Sequence, residues 1–425
     1  MKKAIYCICI TLAGLFVACQ DSVKETVVYE INEPIFALAT DIRSKAIQTK
    51  AAQAIEEQGK LCFYEGYLYI SEPGKGIHVI DNRNPSSPKA VSLIELEGNV
   101  DIAVLNNKLY ADNYVDLVYF DISNPAKPQY LSRLEDAFKY SYPVVDNEIG
   151  CDMSAYYAPE NQNKIIVGWK LVKREQTIYQ YTDGLPMNEG YLSSPNSFAD
   201  KSPGSSSKGV NGSMSRFSVH KDYLYTVMSS MMSIIDLSGE TPVKPVEDIA
   251  VDWNVETIFY YKDYMFLGTP TGMSIFSVED PLRPERMSTT WHINGCDPVV
   301  VEDDIAYVTI HSGNTCGQNN NVLIVYDVSD VKSPKMLVSY AMTKPKGLGV
   351  DNGTLFVCDD GLRVFDASEP QMIMARELAH YSGMEGYDLI PYNKVLMMIA
   401  DDGLYQYDYT DVKKISQLSK ISIKK

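Results

Sequence analysis

Apolar residues along the chain gather in short runs that end in aspartate. Six such runs occur, at residues 77–81, 117–121, 232–236, 323–327, 362–366 and 404–408. A degenerate seventh lies at 273–277, and residues 177–181 fit an eighth. The runs are apolar at nearly every position, which is typical of strands that are covered on both faces.

The second unit shows the full repeat most clearly. It predicts four strands, at residues 101–106, 109–112, 117–122 and 129–134, with a proline-bearing loop before the last. A period of about 40 residues with four strands is typical of one propeller blade. An isolated blade cannot bury both faces, so the sequence predicts an all-β protein whose blades close into a ring.

The repeat predicts a β-propeller of eight four-stranded blades. The predicted blades start near Lys60, Val100, Cys151, Ser213, Asn254, Gly295, Lys346 and Gly386. Seven blades follow if the unit that starts at Cys151 is not a blade, because its fourth strand would lie in residues 182–212, a segment rich in Ser, Gly, Pro and Asn. Residues 20–58 lack the repeat, and residues 44–57 fit a short helix.

The loops that follow the aspartate-ended runs carry a further signature. They contain Asn84-Pro85, Ser123-Asn124-Pro125, Glu279-Asp280-Pro281 and Ser368-Glu369-Pro370. With the preceding runs, these loops resemble the LVIVD-repeat proteins from Gly59 to the C-terminus, and residues 72–76 and 295–298 resemble the Bacteroidota lipoprotein branch. The resemblance implies a propeller at the cell surface and no established activity.

The N-terminus resembles an export signal. Lys2 and Lys3 precede an apolar run from Ala4 to Ala18, which is shorter than the roughly 20 residues of a membrane-spanning helix. The run ends at Cys19 in a sequence that resembles the lipobox of bacterial lipoproteins, which implies diacylation of Cys19. The alternatives are a secretory leader cut near Ala18, with Cys19 a free thiol, and an uncleaved anchor.

These signals divide the chain into three parts. Residues 1–18 form a lipoprotein signal peptide, residues 19–58 a lipid-anchored tether with a short packed segment, and residues 59–425 the propeller. We expect an outer-membrane lipoprotein that faces the cell exterior, with the periplasmic face as the alternative. A lipid chain contributes about 0.8 kcal/mol per buried methylene group, so an acylated Cys19 would hold the protein to a membrane.

The charge of the chain bears on its partners. Lys and Arg number 38 against 55 Asp and Glu, a formal net charge of −17. Such a chain repels phosphate backbones, which argues against a nucleic-acid partner.

Enzyme motifs are missing from the sequence. The five His residues lack metal-ligand spacing, and neither Gly-x-Ser-x-Gly nor His-Glu-x-x-His occurs. The aspartates that end the apolar runs are suited to accept backbone N–H groups two or three residues on, so we interpret them as turn residues.

Two of the eight cysteines suggest a disulfide. Cys296 would precede the first strand of its blade and Cys316 would lie between the second and third strands, at the same end of the blade. We predict a Cys296–Cys316 disulfide, with two free thiols as the alternative. Cys62 and Cys358 fit buried strand positions.

First strands line the channel of a propeller, so the residues that open them should ring one channel mouth. These residues are Lys60, Asp101, Asp152, Arg216, Glu256, Asp297 and Asp388. Five acids and two bases there would suit a cation such as Ca²⁺ or a cationic ligand. The alternative is that the acids bind backbone N–H groups of the turns between blades and line a water-filled channel.

Three functions remain open on the sequence alone. The first is a non-catalytic binding or scaffolding propeller for a protein, a glycan or another ligand. The second is an extracellular hydrolase or lyase with its site at the acidic channel mouth, using Ca²⁺. The third is a structural partner in an outer-membrane assembly.

Overall fold

Seven antiparallel sheets, each built on four consecutive strands, make up the ring of this protein, and one of them has two additional strands. The computed structural model describes residues 22–57, 59–139, 141–143, 145, 149–181, 210–213, 215–252, 255, 257–291, 298–311 and 320–423. The predicted all-β propeller is confirmed, with seven blades rather than eight. The unit that starts at Cys151 is not a blade.

The first third of the chain contains an N-terminal segment and two blades. The segment consists of β1 (Ser22–Leu38), α1 (Ala39–Ser44) and β2 (Gln48–Ala51). Blade 1 comprises β3 (Leu61–Tyr64), β4 (Tyr67–Glu72), β5 (Gly76–Asp81) and β6 (Lys89–Glu95). Blade 2 comprises β7 (Ile102–Leu105), β8 (Lys108–Asn113), β9 (Asp116–Asp121) and β10 (Gln129–Leu134).

The chain then leaves the ring before it forms the other blades. A 3₁₀ turn (Pro159–Asn161), β11 (Lys164–Tyr181) and β12 (Val210–Asn211) lie between blades 2 and 3. Blade 3 is β13 (Phe217–His220), β14 (Tyr223–Met228), β15 (Met231–Asp236) and β16 (Ile249–Ala250), and blade 4 is β17 (Thr257–Tyr261), β18 (Tyr264–Thr269), β19 (Gly272–Ser277) and β20 (Glu285–Trp291).

The last three blades follow without interruption. Blade 5 is β21 (Val299–Glu302), β22 (Ile305–Ile310), β23 (Val322–Asp327) and β24 (Lys335–Ala341). Blade 6 is β25 (Leu348–Asp351), β26 (Thr354–Cys358), β27 (Leu362–Asp366), the 3₁₀ helix Pro370–Arg376 and β28 (Glu377–Tyr381). Blade 7 is β29 (Gly386–Tyr392), β30 (Val395–Ala400), β31 (Gly403–Asp408) and β32 (Ser416–Ser422).

Apolar side chains between neighbouring blades form the core. Each of the seven seams of the ring has its own cluster of buried residues. Third strands such as β5 and β9 are buried at all but their last residue, because a neighbouring blade covers each face. The ring closes where Leu61, Ile70 and Ile80 of blade 1 pack with Ile390 and Met397 of blade 7.

The unit predicted as the third blade forms a long two-stranded ribbon instead. β1 and β11 pair antiparallel from Ser22 opposite Tyr181 to Leu38 opposite Lys164, so residues 177–181 belong to β11 and not to a third blade strand. Seventeen residues at about 3.3 Å per residue give a ribbon roughly 55 Å long.

The N-terminal segment also differs from the prediction of a helix at residues 44–57. The helix is α1, which ends at Ser44, where the predicted helix would begin, and β2 pairs with β6 as an outer strand of blade 1. Among the described residues, no helix has both the length and the apolar character needed to cross a bilayer.

Buried ion pairs fix α1, and with it the adjoining ribbon, to blade 2. Arg43 Nε and Nη2 donate to the two carboxylate oxygens of Asp116 over 2.9 and 2.7 Å, and Arg133 donates to the same carboxylate over 2.6 Å. Asp116 is only 2% exposed. Ile42 packs beside these pairs with Val115 and Ile165.

Candidate functional site

The first strands of the blades surround the central channel, and four of the predicted site residues meet at one end of it. Lys60 and Asp101 precede β3 and β7, Arg216 precedes β13, and Asp388 lies in β29. Lys60, Asp101 and Asp388 are buried, and the charge of Lys60 acts on both acids.

A segment of the chain itself occupies this end of the channel. We call residues 210–213, 215 and 216 the channel segment. Val210 pairs with Phe63 and Asn211 with Cys62, on the inner side of the innermost strand of blade 1. Because the pairing is antiparallel, the segment runs toward the face of the ring where β3 begins.

Asp388 binds the channel segment from blade 7. Its Oδ1 accepts the backbone N–H and the hydroxyl of Ser213, each over 3.0 Å, and Ser213 Oγ in turn accepts the N–H of Leu348 over 2.9 Å. Gly212 is needed at this contact, because a Cβ there would lie 1.8 Å from Asp388 Oδ2. One serine thus joins blades 6 and 7 in the centre of the ring.

Burial dominates the ionisation of Asp388. It raises the pKa of this carboxyl to about 8, although the bonds from Ser213 and Leu389 and the charge of Lys60 act in the opposite direction. Asp388 Oδ2 has no hydrogen-bond partner among the described residues. A protonated carboxyl at neutral pH fits this environment.

Asp101 binds the other end of the channel segment from blade 2. Its carboxylate accepts the N–H of Arg216 over 2.8 Å, and Ser215 Oγ lies 3.0 and 3.1 Å from its two oxygens. The carbonyl of Ser215 accepts the N–H of Ile258, which extends the contact to blade 4. Burial raises the pKa of Asp101, and the charges of Lys60 and Arg216 counteract it.

Asp152, another predicted channel residue, lies away from this cluster. Asp152 lies by the ribbon, where it accepts Arg174 Nη1 over 2.6 Å and the N–H of Ser154. Burial would raise the pKa of Asp152, but these bonds lower it overall. Glu256 and Asp297 lie outside the described residues. Ligand binding by the predicted channel residues stays a prediction.

The predictions for cysteine have a mixed outcome. Cys62 and Cys358 are buried free thiols in β3 and β26, as predicted, and burial raises the pKa of both. Cys19, Cys296 and Cys316 lie outside the described residues, so the lipid attachment and the disulfide stay predictions. No group of three or more His, Cys, Asp or Glu side chains suited to a metal occurs in the described part of the chain.

The aspartates that end the third strands act as turn residues, as predicted. Each accepts the backbone N–H of the residue two positions on, as Asp121 does from Ser123 over 2.8 Å. The same bond occurs at Asp81, Asp236, Asp327, Asp366 and Asp408. In Asp366 the bonds from Ser368 and then Arg376 lower the pKa to about 2.

Sequence reasoning missed a second concave site, between the ribbon and the loops of blades 1 and 2. We call it the ribbon cleft. Its volume is about 550 Å³. The ribbon contributes Asn32, Ile35, Val167, Gly168, Trp169 and Leu171 to its lining. The blade side contributes Glu57, Pro73, Gly74, Gly98, Asn99, Val100 and Tyr114, and the segment before the ribbon strand β11 contributes Ser141, Tyr142, Pro143 and Val145.

Asn99 is the buried polar residue of the ribbon cleft. Its amide nitrogen donates to Asp112 Oδ1 over 2.8 Å and to the carbonyl of Asp101 over 2.9 Å. Burial raises the pKa of Asp112 to about 6, although the N–H groups of Val100 and Asp101 lower it in part. Asn99 is 1% exposed, and its Oδ1 accepts no hydrogen bond from a described residue.

One local signal for the ribbon cleft was present in the sequence. Tyr114 occupies the turn between the second and third strands of blade 2, where blade 3 has Ser229 and blade 6 has Asp360. All three adopt a positive φ, at 59°, 57° and 49°. A bulky aromatic residue is unusual in this conformation, which suggests a role for its ring.

Comparison with solved structures identifies the architecture. The chain superposes on a protein from Lactobacillus plantarum with a TM-score of 0.51 and 11% identity, covering 87% of this chain and 97% of that one. A periplasmic gluconolactonase of Pseudomonas aeruginosa gives a TM-score of 0.53 and 11% identity, covering 86% and 96%. At this identity the similarity shows the fold alone.

Sequence comparison assigns the repeat. No curated protein sequence matches the chain. Residues 59–94 and 99–136 match the LVIVD repeat family, and these two segments coincide with blades 1 and 2. The chain therefore carries LVIVD repeats, which form the first two blades of its propeller.

Proposed function

We propose that this protein is a lipid-anchored, non-catalytic binding propeller that is displayed on the outer face of a bacterial outer membrane. The observation that carries the binding role is the ribbon cleft. It is an open concavity lined by both apolar and polar groups, as small-ligand sites are, and it contains a buried amide oxygen that has no partner among the described residues.

The anchor part of the proposal is supported by the lipobox-like residues 16–19. Cys19 directly follows the apolar leader, and β1 begins at Ser22. Ile35, which lines the ribbon cleft, follows Ser22 by 13 residues of extended chain, or about 43 Å. A lipid on Cys19 would therefore leave the ribbon cleft well separated from the anchored end.

The absence of catalysis is supported by the use of the channel acids. Asp101 and Asp388 are fully buried and accept hydrogen bonds from the channel segment. A general acid or a nucleophile must reach the substrate, directly or through one water molecule. The alternative of a hydrolase or lyase at the channel mouth gains no support from this geometry.

Metabolic labelling with an alkyne analogue of palmitate tests the anchor. We expect label on the full chain expressed in a Gram-negative host and none on Cys19→Ser. Cys9→Ser, which changes a leader cysteine, is the matched control and should label normally. Label on Cys19→Ser would overturn the anchor.

Protease added to intact cells tests the orientation. We expect cleavage of the labelled chain without permeabilising the outer membrane. Cleavage only after permeabilisation would place the protein on the periplasmic face and overturn the proposed display.

A further inference from the structure

We propose that the ribbon cleft binds a neutral saccharide, stacked against Tyr114 and Trp169 and hydrogen-bonded to Asn99. This inference rests on the proposed binding function and names the ligand class. Four properties of the ribbon cleft support it: a fixed acceptor, two oriented aromatic rings, the charge of the lining and the size.

The fixed acceptor is Asn99 Oδ1. All three hydrogen bonds of the Asn99 amide nitrogen go to Asp101 and Asp112 of blade 2, which sets the orientation of the amide without using its oxygen. A buried acceptor without a donor costs about 1–3 kcal/mol, so the site favours a ligand that supplies an O–H or N–H group. Sugar hydroxyls supply such donors.

The first ring belongs to Tyr114. It lies against Gly98, where an added Cβ would come within 2.6 Å of three ring atoms. Blades 3 and 6 have the smaller residues Ser229 and Asp360 at the equivalent turn, and smaller side chains adopt a left-handed backbone more easily. The tyrosine therefore keeps a costly backbone conformation while its ring forms one wall of the ribbon cleft.

The second ring belongs to Trp169, on the opposite wall. Its indole Nε1 donates to the carbonyl of Pro143 over 2.8 Å, which fixes the ring while leaving it half-buried. With its only polar atom already paired, the indole offers an apolar surface to a ligand. The C–H face of a sugar ring suits such a surface.

The charge of the lining argues against an anion. Glu57 is the only ionisable carboxylate among the described lining residues, and none of them is Lys or Arg. A phosphate, a sulfate or a uronic acid would meet no cation there. The volume of about 550 Å³ is within the range of small-ligand sites, roughly 300–1,000 Å³.

The test applies the full chain, purified in detergent, to an array that carries neutral, anionic and amino oligosaccharides and lysine-rich peptides. Calorimetric titration then measures the affinity of the probes that bind. Cello-, laminari-, xylo- and mannohexaose are the neutral probes. We expect at least one neutral hexasaccharide to bind, with at least about tenfold weaker binding for Trp169→Ala. Trp291→Ala removes an indole that is 75% exposed in blade 4, and this matched control should bind normally.

A second variant separates binding from folding. Tyr114→Asn places a residue that tolerates positive φ at the turn, so we expect unfolding near the wild-type temperature together with weaker saccharide binding. Equal binding by wild type, Trp169→Ala and Tyr114→Asn would overturn the assignment to the ribbon cleft. If only anionic glycans, amino sugars or peptides bind, or if no probe binds, the proposed ligand class is wrong. The palmitate and protease experiments test the anchor and the surface display independently of this result.

Discussion

Asn82 of blade 1 and Gln406 of blade 7 exchange two hydrogen bonds across the seam that closes the ring. Asn82 Nδ2 donates to Gln406 Oε1 over 2.9 Å, and Gln406 Nε2 donates to Asn82 Oδ1 over 2.6 Å. Both side chains are buried, and the two residues are 324 positions apart. The first and last blades are thus joined by a paired amide contact.

The equivalent positions at the six other seams are aliphatic or aromatic, and none of them carries an amide. In each pair, the first residue lies two positions before the last residue of a third strand. The second residue directly follows the third strand of the next blade. The pairs are Val79 with Ile122, Tyr119 with Leu237, Ile234 with Val278, Ile275 with Val328, Val325 with Ala367, and Val364 with Tyr409. A polar pair at one seam favours the joining of blades 1 and 7 to each other over other pairings.

Substitution of either amide alone should destabilise the ring. Asn82→Ile or Gln406→Val leaves its partner buried without a hydrogen bond, which costs about 1–3 kcal/mol of unfolding free energy. The double variant should recover most of that loss, because its seam then matches the other six. Urea unfolding of the four proteins measures the coupling.

The double variant should also lose specificity of closure. We expect more dimers and larger species after refolding than for wild type, measured by size-exclusion chromatography with light scattering. Val79→Ile, a conservative change at an apolar seam, serves as the control. A monomeric double variant with wild-type refolding would contradict this account.

Asp388→Asn should change the pH dependence of stability. The folded state holds a proton on Asp388 up to pH about 8, whereas the unfolded chain releases it near the ordinary pKa of 3.8. The contribution of Asp388 to the free energy of unfolding is therefore fully present below pH 3.8 and decreases as the pH rises toward 8. The slope reaches at most about 1.4 kcal/mol per pH unit, and Asn should remove that contribution while retaining the Oδ1 acceptor.

Unfolding in urea at pH 5, 6, 7 and 8 measures the effect. Asp303→Asn changes an exposed acid and should leave the slope of wild type intact. An equal slope for Asp388→Asn and wild type would show that Asp388 is ionised in the fold.

Asp116→Asn should loosen α1 and the base of the ribbon. The burial of Asp116 would raise its pKa, but bonds from Arg43, the N–H of Asp136 and Arg133 lower it overall. Its stabilisation is therefore present above the ordinary pKa of 3.8 and is lost as the pH falls through the lower folded value. Breaking a buried pair of this kind costs about 3–5 kcal/mol.

Hydrogen exchange measured by mass spectrometry is the readout for Asp116→Asn. Amide groups in α1 and the adjoining part of β1 should exchange faster, with blades 4 to 6 unchanged. Asp41→Asn, an exposed acid on the same helix, is the control. Unchanged protection of α1 would contradict the anchoring role.

Gly212→Ala should destabilise the centre of the ring. The added methyl group would lie 1.8 Å from Asp388 Oδ2, so the channel segment or the carboxyl must move, at a cost of about 1–3 kcal/mol. Gly239→Ala, whose Cβ would have no neighbour closer than 3.5 Å, should be nearly neutral. Thermal unfolding of the two variants provides the comparison.

The blades were predictable because their signals are local. The strand β9 is apolar from Leu117 to Phe120, and its terminal Asp121 accepts a hydrogen bond from a backbone group two residues away. The ribbon was not predictable in this way, since β11 pairs with β1, from which blades 1 and 2 separate it in the sequence, and residues 177–181 alone resemble a blade strand. The count of eight blades came from that resemblance.

The candidate sites were predictable only in part. The position of Asp101 and Asp388 at the start of first strands placed them at one channel end, but the partners Ser213 and Ser215 reach them from a segment without repeat character. The ribbon cleft needs Trp169 and Asn99 from two units that no periodic pattern connects. For this reason, a site that forms between a repeat and a non-repeating insertion cannot be predicted from the sequence pattern alone.

The channel segment makes the centre of the protein depend on its C-terminal end. The ribosome completes residues 210–216 before blade 3, yet Ser213 finds its partners 135 and 175 residues later, at Leu348 and Asp388. During synthesis, these contacts cannot form until the later blades have been made, and contacts between residues so far apart slow folding. A chain truncated before Asp388 would therefore lack the acceptor for Ser213 in the channel. Such a chain would differ from the native protein at the centre of the ring as well as at the missing blade.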